Sequence, residues 1–117
     1  MFVGYATACR ADHNLHTQVS ELAQAGCGRI FTDVPTSMQI AHRPGLRSAL
    51  DYLRMGDTFV VLQLGRLALP MKRLLALLAL LDDRGVAFQS LYDQIDPTTP
   101  AGQMLCRMLL ALAAFEG

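Results

Sequence analysis

Short apolar runs alternate along this chain with longer segments in which apolar residues recur every three or four positions. The first kind of pattern predicts β-strands and the second predicts amphipathic helices. The strand-like runs are FVGYA, GRIFTD, TFVVLQL and VAFQSLY, and a helical pattern follows each of them. Because such an alternation is typical of sheets with crossover helices, the sequence predicts an α/β domain.

Proline and glycine mark the ends of the predicted helices. Pro44, Pro70 and Pro100 each stand where a helix is expected to begin, a position at which the missing N–H costs nothing. Gly26 and Gly85 stand where helices are expected to end. The run TFVVLQL is apolar on both faces and therefore predicts a central strand. The polar segment VPTSMQIAHR predicts a functional loop before the second helix.

The last helical segment is apolar almost all the way round. A helix of this kind must be covered on all sides, and at the end of a small domain a second chain is the simplest cover. Burial entirely within the domain is the alternative. The residues predicted to form an interface between chains are Met104, Met108, Leu112 and Phe115.

Composition excludes several classes of protein. Of the 117 residues 52% are hydrophobic and 17% are charged, which excludes a disordered chain. Ten basic and ten acidic residues balance, which argues against a free-standing DNA-binding domain. The apolar runs are too short to span a membrane, and we expect a cytoplasmic protein. Three separated cysteines without a CxxC pair favour reduced thiols.

Several segments together carry a family resemblance. They are GYATACRADHNLHTQVSEL, RIFTD, RPGLRSAL, GDTFVVLQLGRL, DRGVAFQSL and IDPTTPAGQMLCRMLLALAAFE. Their order and spacing resemble the N-terminal catalytic domain of serine recombinases, the resolvase and DNA invertase family, over residues 1–117. The resemblance implies a three-layer αβα sandwich with a mostly parallel sheet of four to five strands and a long C-terminal dimerisation helix.

The resemblance also implies partners and chemistry. It implies a homodimer or tetramer through the last helix, and contact with DNA through a C-terminal helix-turn-helix module that this chain lacks. A serine hydroxyl attacks the DNA phosphodiester, and arginines hold the phosphate because their planar fork donates to two oxygens at once. Such chemistry needs no metal, no cofactor and no small-molecule substrate.

The residues expected at that site are only partly present. Cys9 stands in the position of the nucleophilic serine, and Thr7 stands in that of the first arginine. After the third strand, Gly65 and Leu69 replace an aspartate and an arginine, and Arg66 is retained. The remaining matches are Arg43 and, as a possible further site residue, Glu116. Since each lost donor to a transition state costs about a hundredfold to a thousandfold in rate, the resemblance predicts weak or absent catalysis.

Other interpretations of these residues remain open. Cys9 is either a replacement nucleophile or a half-buried structural cysteine. A cluster of Cys9, Asp12, His13 and His16 matches no standard zinc spacing, so no metal site is predicted. Arg43 and Arg66 form either a remnant anion site or ordinary surface charges.

The function stays open between two classes. One is a recombinase domain with a degenerate active site, and the other is a non-enzymatic self-association or regulatory domain that pairs through its last helix. Lys72 and Arg73 are expected on the exposed face of the leucine-rich third helix.

Overall fold

Strands and helices alternate along the chain as the sequence predicts. The computed structural model describes residues 1–7, 15–33, 43–63, 71–93, 95–96 and 98–116, without the side chains of 113–116. The elements in this part of the chain are β1 (Phe2–Thr7), α1 (Leu15–Gln24), β2 (Cys27–Asp33), α2 (Pro44–Tyr52), β3 (Thr58–Val61), α3 (Met71–Asp83), β4 (Ala87–Ser90) and α4 (Pro100–Glu116). The predicted α/β order is confirmed.

The four strands form one parallel sheet in the order β2-β1-β3-β4. The prediction that TFVVLQL contributes a central strand is confirmed, because β3 lies between β1 and β4, and Phe59 and Val60 are fully buried. The strand is shorter than its apolar run, since β3 ends at Val61. An isolated antiparallel bridge joins Ser90 to Ile95 beyond the end of β4.

Two apolar clusters show that helices cover both faces of the sheet. On one face, Leu22 of α1 packs with Ala6 of β1 and Val60 of β3. On the other face, α2, α3 and α4 share a larger cluster with side chains of β1, β3 and β4. Side chains of a strand point alternately to opposite faces, and β1 and β3 accordingly contribute apolar residues to both clusters. The predicted three-layer αβα sandwich is confirmed.

The N-terminal end of α4 packs closely against the segment that precedes it. The Gly102 amide donates to Oγ1 of Thr99 at 3.0 Å, which confirms Thr99 as the N-cap and Pro100 as the first helical residue. A Cβ atom on Gly102 would lie 1.9 Å from the carbonyl oxygen of Asp96. Only glycine therefore lets the first turn of α4 approach this segment so closely.

The rest of α4 has two unlike faces. Cys106, Leu109 and Leu110 pack against the larger cluster. The opposite face carries Met104, Met108 and Leu112, which are 65%, 58% and 52% exposed. We call these three residues the α4 face.

The predicted C-terminal helix is confirmed, whereas an interface on this helix stays a prediction. The side chain of Phe115 lies outside the described part of the chain. Within the described residues, no helix has the length and apolar character needed to cross a membrane.

Candidate functional site

The carboxyl ends of β1 and β2 bring two polar side chains to one edge of the sheet. Thr7 is the last residue of β1 and pairs in register with Asp33, the last residue of β2. Arg43 stands at the same edge because α2 begins beside Asp33. Ligand sites of open α/β sheets form outside the carboxyl ends of the strands, so this edge is the candidate site.

Asp33 holds the beginning of α2. Its Oδ1 accepts a hydrogen bond from the Gly45 amide at 2.7 Å, and its Oδ2 accepts one from the Leu46 amide at 2.9 Å. The first amides of a helix have no partner within the helix, and Arg43 at the N-cap position makes no side-chain capping bond. A carboxylate from a different element therefore performs the capping.

Gly45 makes this close approach possible. A Cβ atom at this position would lie 2.2 Å from the carbonyl oxygen of Thr32 and 2.9 Å from Oδ1 of Asp33. Backbone atoms cannot move aside as the end of a side chain can. The glycine that follows Pro44 in the RPGL segment is thus required for α2 to dock on the end of β2.

Tyr5 links Asp33 to Arg43. The Tyr5 hydroxyl donates to Oδ2 of Asp33 at 2.7 Å, and the phenol is buried. Burial is the main cause that raises the pKa of Tyr5 far above its usual range; the Asp33 carboxylate raises it further, and a hydrogen bond and the charge of Arg43 act in the opposite direction. We call Tyr5, Asp33 and Arg43 the edge cluster.

Of the two arginines predicted for the site, Arg43 lies among the described residues. It is 7% exposed, an unusual degree of burial for an arginine. Burying a guanidinium is costly unless opposite charge and hydrogen bonds compensate for it. Within the edge cluster, a hydrogen bond joins the Arg43 side chain to Tyr5.

Thr7 occupies a buried position. It is 1% exposed, and its carbonyl oxygen accepts a hydrogen bond at 3.3 Å from Nε2 of Gln18 on α1. The resemblance implies an arginine here, and a buried hydroxyl-bearing side chain cannot replace a guanidinium in holding a phosphate.

The other residues predicted for the site lie outside the described part of the chain or lack a described side chain. Cys9, Gly65, Arg66 and Leu69 lie outside the described residues, and Glu116 belongs to α4 without a described side chain. Their places at the site stay predictions.

The described thiols and acids form no metal site. Cys27 and Cys106 are free and half-buried, and burial raises the pKa of Cys27 to about 11. Among the described residues, no group of three or more histidine, cysteine or acidic side chains is placed to bind a metal. The cluster considered around Cys9 falls outside the described residues except for His16.

Sequence analysis did not identify Tyr5, Asp33 or Gly45 as site residues. A signal for Asp33 was present, because an acid ends the strand-like run GRIFTD at the edge where α/β sites form. Nothing in the sequence pairs that acid with Tyr5, since 28 residues separate them and only the sheet register brings them together.

Comparison with known proteins agrees with the fold. The resolvase N-terminal domain model matches residues 2–117. This chain belongs to the resolvase family. It is 42% identical over 114 residues to the DNA-invertase hin of Salmonella typhimurium, and 97% of this chain and 60% of that relative are covered. It is 40% identical over 116 residues to the serine recombinase gin of Escherichia phage Mu, with 99% and 60% covered.

A third resolvase-family relative and a solved structure extend the comparison. The transposon Tn552 DNA-invertase BinR of Staphylococcus aureus is 40% identical over 118 residues, with 99% of this chain and 61% of that protein covered. The chain thus spans about 60% of the length of the curated relatives it matches. The N-terminal catalytic domain of TP901-1 integrase superposes with a TM-score of 0.78 at 21% identity, covering 98% of this chain and 95% of that one. That similarity supports the fold.

Proposed function

We propose that this chain is the catalytic-domain part of a site-specific DNA recombinase of the invertase and resolvase type, in which DNA strand cleavage is weak or lost. Relatives that are 40% and 42% identical carry the names serine recombinase and DNA-invertase, which supports the first half of the proposal. The active-site residues support the second half.

The single observation that carries the loss of cleavage is the burial of Thr7. A phosphate site built from arginines needs guanidinium groups at the edge of the sheet. At position 7 the edge instead has a threonine that is 1% exposed. Removing one preorganised donor lowers a rate by about a hundredfold to a thousandfold, although losses within one site do not simply multiply.

The sequence adds three further changes to the loss at Thr7. The resemblance places Gly65 and Leu69 where an aspartate and an arginine are expected, and it places Cys9 where the serine is expected. A thiolate is a stronger nucleophile than a hydroxyl toward carbon, but it is a poor partner for a phosphate centre. Arg43, Arg66 and Glu116 remain as the retained site residues of the proposal.

The second candidate function is self-association without catalysis. The α4 face supports it, because Met104, Met108 and Leu112 follow one another at intervals of four residues and form one exposed apolar stripe. A homodimer or tetramer would bury this stripe.

The proposal has two further parts. The protein contacts DNA through a C-terminal helix-turn-helix module, and it is located in the cytoplasm.

A chimera tests the proposal directly. The chain is fused to the part of the DNA-invertase hin that it does not match, and the fusion is incubated with supercoiled plasmid carrying that invertase's own recombination site. Protein covalently attached to cut DNA ends is then measured on a denaturing gel. We expect no adduct from the unaltered fusion, and an adduct when Thr7→Arg, Cys9→Ser, Gly65→Asp and Leu69→Arg are combined.

Two controls make the result decisive. Because Thr7 is buried, the restored fusion is made with and without Thr7→Arg, so that a folding defect at this position is recognised. The Cys9→Ala fusion serves as the unreactive reference. An adduct from the unaltered fusion that disappears in Cys9→Ala would show a working cysteine recombinase and would refute the proposed loss of cleavage.

A further inference from the structure

A cleft of about 660 Å³ runs between α2 and α3, on the face of the sheet that carries both helices. Leucines from the two helices form its floor. Its charged lining consists of Arg43, Arg47 and Asp51 from the α2 side and Arg73 from α3. The cleft therefore begins at the edge cluster, because Arg43 belongs to both.

Arg43 and Arg73 lie at the same end of this cleft, and Arg47 lies midway along α2 between Arg43 and Asp51. Both helices follow a strand of a parallel sheet, so both begin at its carboxyl edge. Arg43 and Arg47 stand one turn apart at the start of α2, and Arg73 is the third residue of α3. Asp51 lies about 12 Å further along α2 than Arg43, toward the opposite end.

The local charge differs from that of the whole chain. The protein has ten basic and ten acidic residues, whereas the cleft is lined by three arginines and one aspartate. The ion pair found in the described part of the chain joins the N-terminal amine to Asp57, away from this cleft. Arg47 and Arg73 are exposed, and Asp51 is the acid that lines the cleft with them, so the cleft carries a net positive charge beside the candidate site.

We infer that Arg47 and Arg73 bind a phosphate of the DNA backbone next to the one that meets Arg43. This inference rests on the proposed function and names a part of its DNA-binding surface. A guanidinium fork donates two parallel hydrogen bonds to phosphate oxygens, and two arginines on facing helices can approach one phosphate from both sides. No bond is made or broken in this contact.

An acidic protein segment is the competing occupant, because it would also use the leucine floor. The arrangement favours DNA, since three arginines and one aspartate line the cleft and one of the arginines belongs to the edge cluster. An amphipathic segment would gain most from the opposite, apolar end, where Asp51 would repel its acidic side chains.

The test measures binding of the 117-residue chain to a 20-base-pair duplex as a function of salt, beginning at 50 mM. The double variant Arg47→Gln/Arg73→Gln is compared with Arg54→Gln/Lys72→Gln, which removes the same charge from exposed positions outside the cleft. Each lost phosphate contact reduces the magnitude of the slope of log K against log salt by about 0.9, so we expect the cleft variant, which removes one phosphate contact, to lose about 0.9.

A conservative variant and thermal unfolding guard against a folding defect. Arg47→Lys/Arg73→Lys keeps the charge and should keep most of the salt slope. An equal loss in the cleft and control variants would overturn the inference, as would an unaltered chain that does not bind the duplex at 50 mM salt.

Two other probes separate the possible ligands. The first probe is inorganic phosphate, and the shifts of the Nε resonances of Arg47 and Arg73 are compared with those that the duplex causes at the same phosphate concentration. Equally large shifts would point to a free-anion site and overturn the DNA assignment. An acidic amphipathic peptide that binds more tightly than the duplex would overturn it as well. These experiments measure DNA binding and not DNA cleavage. A negative result for the cleft therefore leaves the cleavage result of the chimera unaffected.

Discussion

The edge cluster makes polar contacts within the domain, whereas the α4 face leaves much of its apolar surface uncovered. In the edge cluster, Asp33 receives hydrogen bonds from two amides and from Tyr5, and every member is almost fully buried. On the α4 face, Met104, Met108 and Leu112 are more than half exposed. The first region is fixed by its own fold, and the second retains apolar surface that another molecule can bury.

This contrast indicates which region sets stability and which sets association. Buried polar groups whose partners are removed cost the full price of desolvation, so changes in the edge cluster should lower the free energy of unfolding. Exposed apolar groups contribute little to the folding of the single chain, so changes on the α4 face should alter contacts between chains instead.

The largest effect is expected from Gly45→Ala. The added methyl group would collide with the Thr32 carbonyl oxygen, and overpacking of this kind costs about 3 kcal/mol of unfolding free energy. Urea unfolding measures the loss. Gly28→Ala is the control, because its Cβ would meet only the flexible Met1 side chain, at 3.5 Å. Equal stability of the two variants would show that α2 is not held against β2 as described.

Asp33→Asn should have the next largest effect. The amide keeps the shape of the carboxylate but loses its charge and turns one acceptor into a donor that faces other donors. We expect a loss of about 2 kcal/mol of unfolding free energy. Asp83→Asn, at the exposed end of α3, should change stability by less than about 0.5 kcal/mol. A loss below that figure in Asp33→Asn would remove the edge cluster from the stabilising contacts.

Met108→Glu tests whether the α4 face takes part in association between chains. A carboxylate on the α4 face would have to be buried in the proposed homodimer, so we expect the dissociation constant of that homodimer to rise at least tenfold, or about 1.4 kcal/mol. Sedimentation equilibrium measures this constant, and chemical unfolding of the monomer should be nearly unchanged. Met71→Glu is the matched control, because Met71 is 61% exposed on α3, away from the α4 face. Equal dissociation constants for both variants would place the interface elsewhere.

The smallest effect concerns the pH dependence of stability. The pKa of Tyr5 is raised in the folded state, so the folded chain keeps the phenol proton after the unfolded chain has lost it. Unfolding free energy is therefore retained below pH 10 and should fall above it, approaching about 1.4 kcal/mol per pH unit.

Comparison with Tyr5→Phe isolates this contribution, because the exposed Tyr52 and Tyr92 are common to both proteins. The difference in unfolding free energy between the two proteins should shrink from pH 9.5 to pH 10.5. Parallel pH profiles would mean that the phenol of Tyr5 ionises as readily in the folded chain as in the unfolded one.

The order of elements was predictable because its signals are local. The prolines at positions 44 and 100 and the glycines at 26 and 85 mark helix ends through their own backbone preferences, and the structure places the helix ends there. The candidate site was predictable only in part. Arg43 was identified from its segment, whereas its partners Tyr5 and Asp33 were not.

The sequence by itself determined the alternating pattern, the helix boundaries and the family, because each of these depends on residues close together in the chain. The tertiary structure decided that Asp33 caps α2, that Thr7 is buried, and that Arg43, Arg47 and Arg73 line one cleft. It also divided α4 into a packed and an exposed face. These features depend on sheet register and helix packing, which join residues far apart in sequence and which no local pattern encodes.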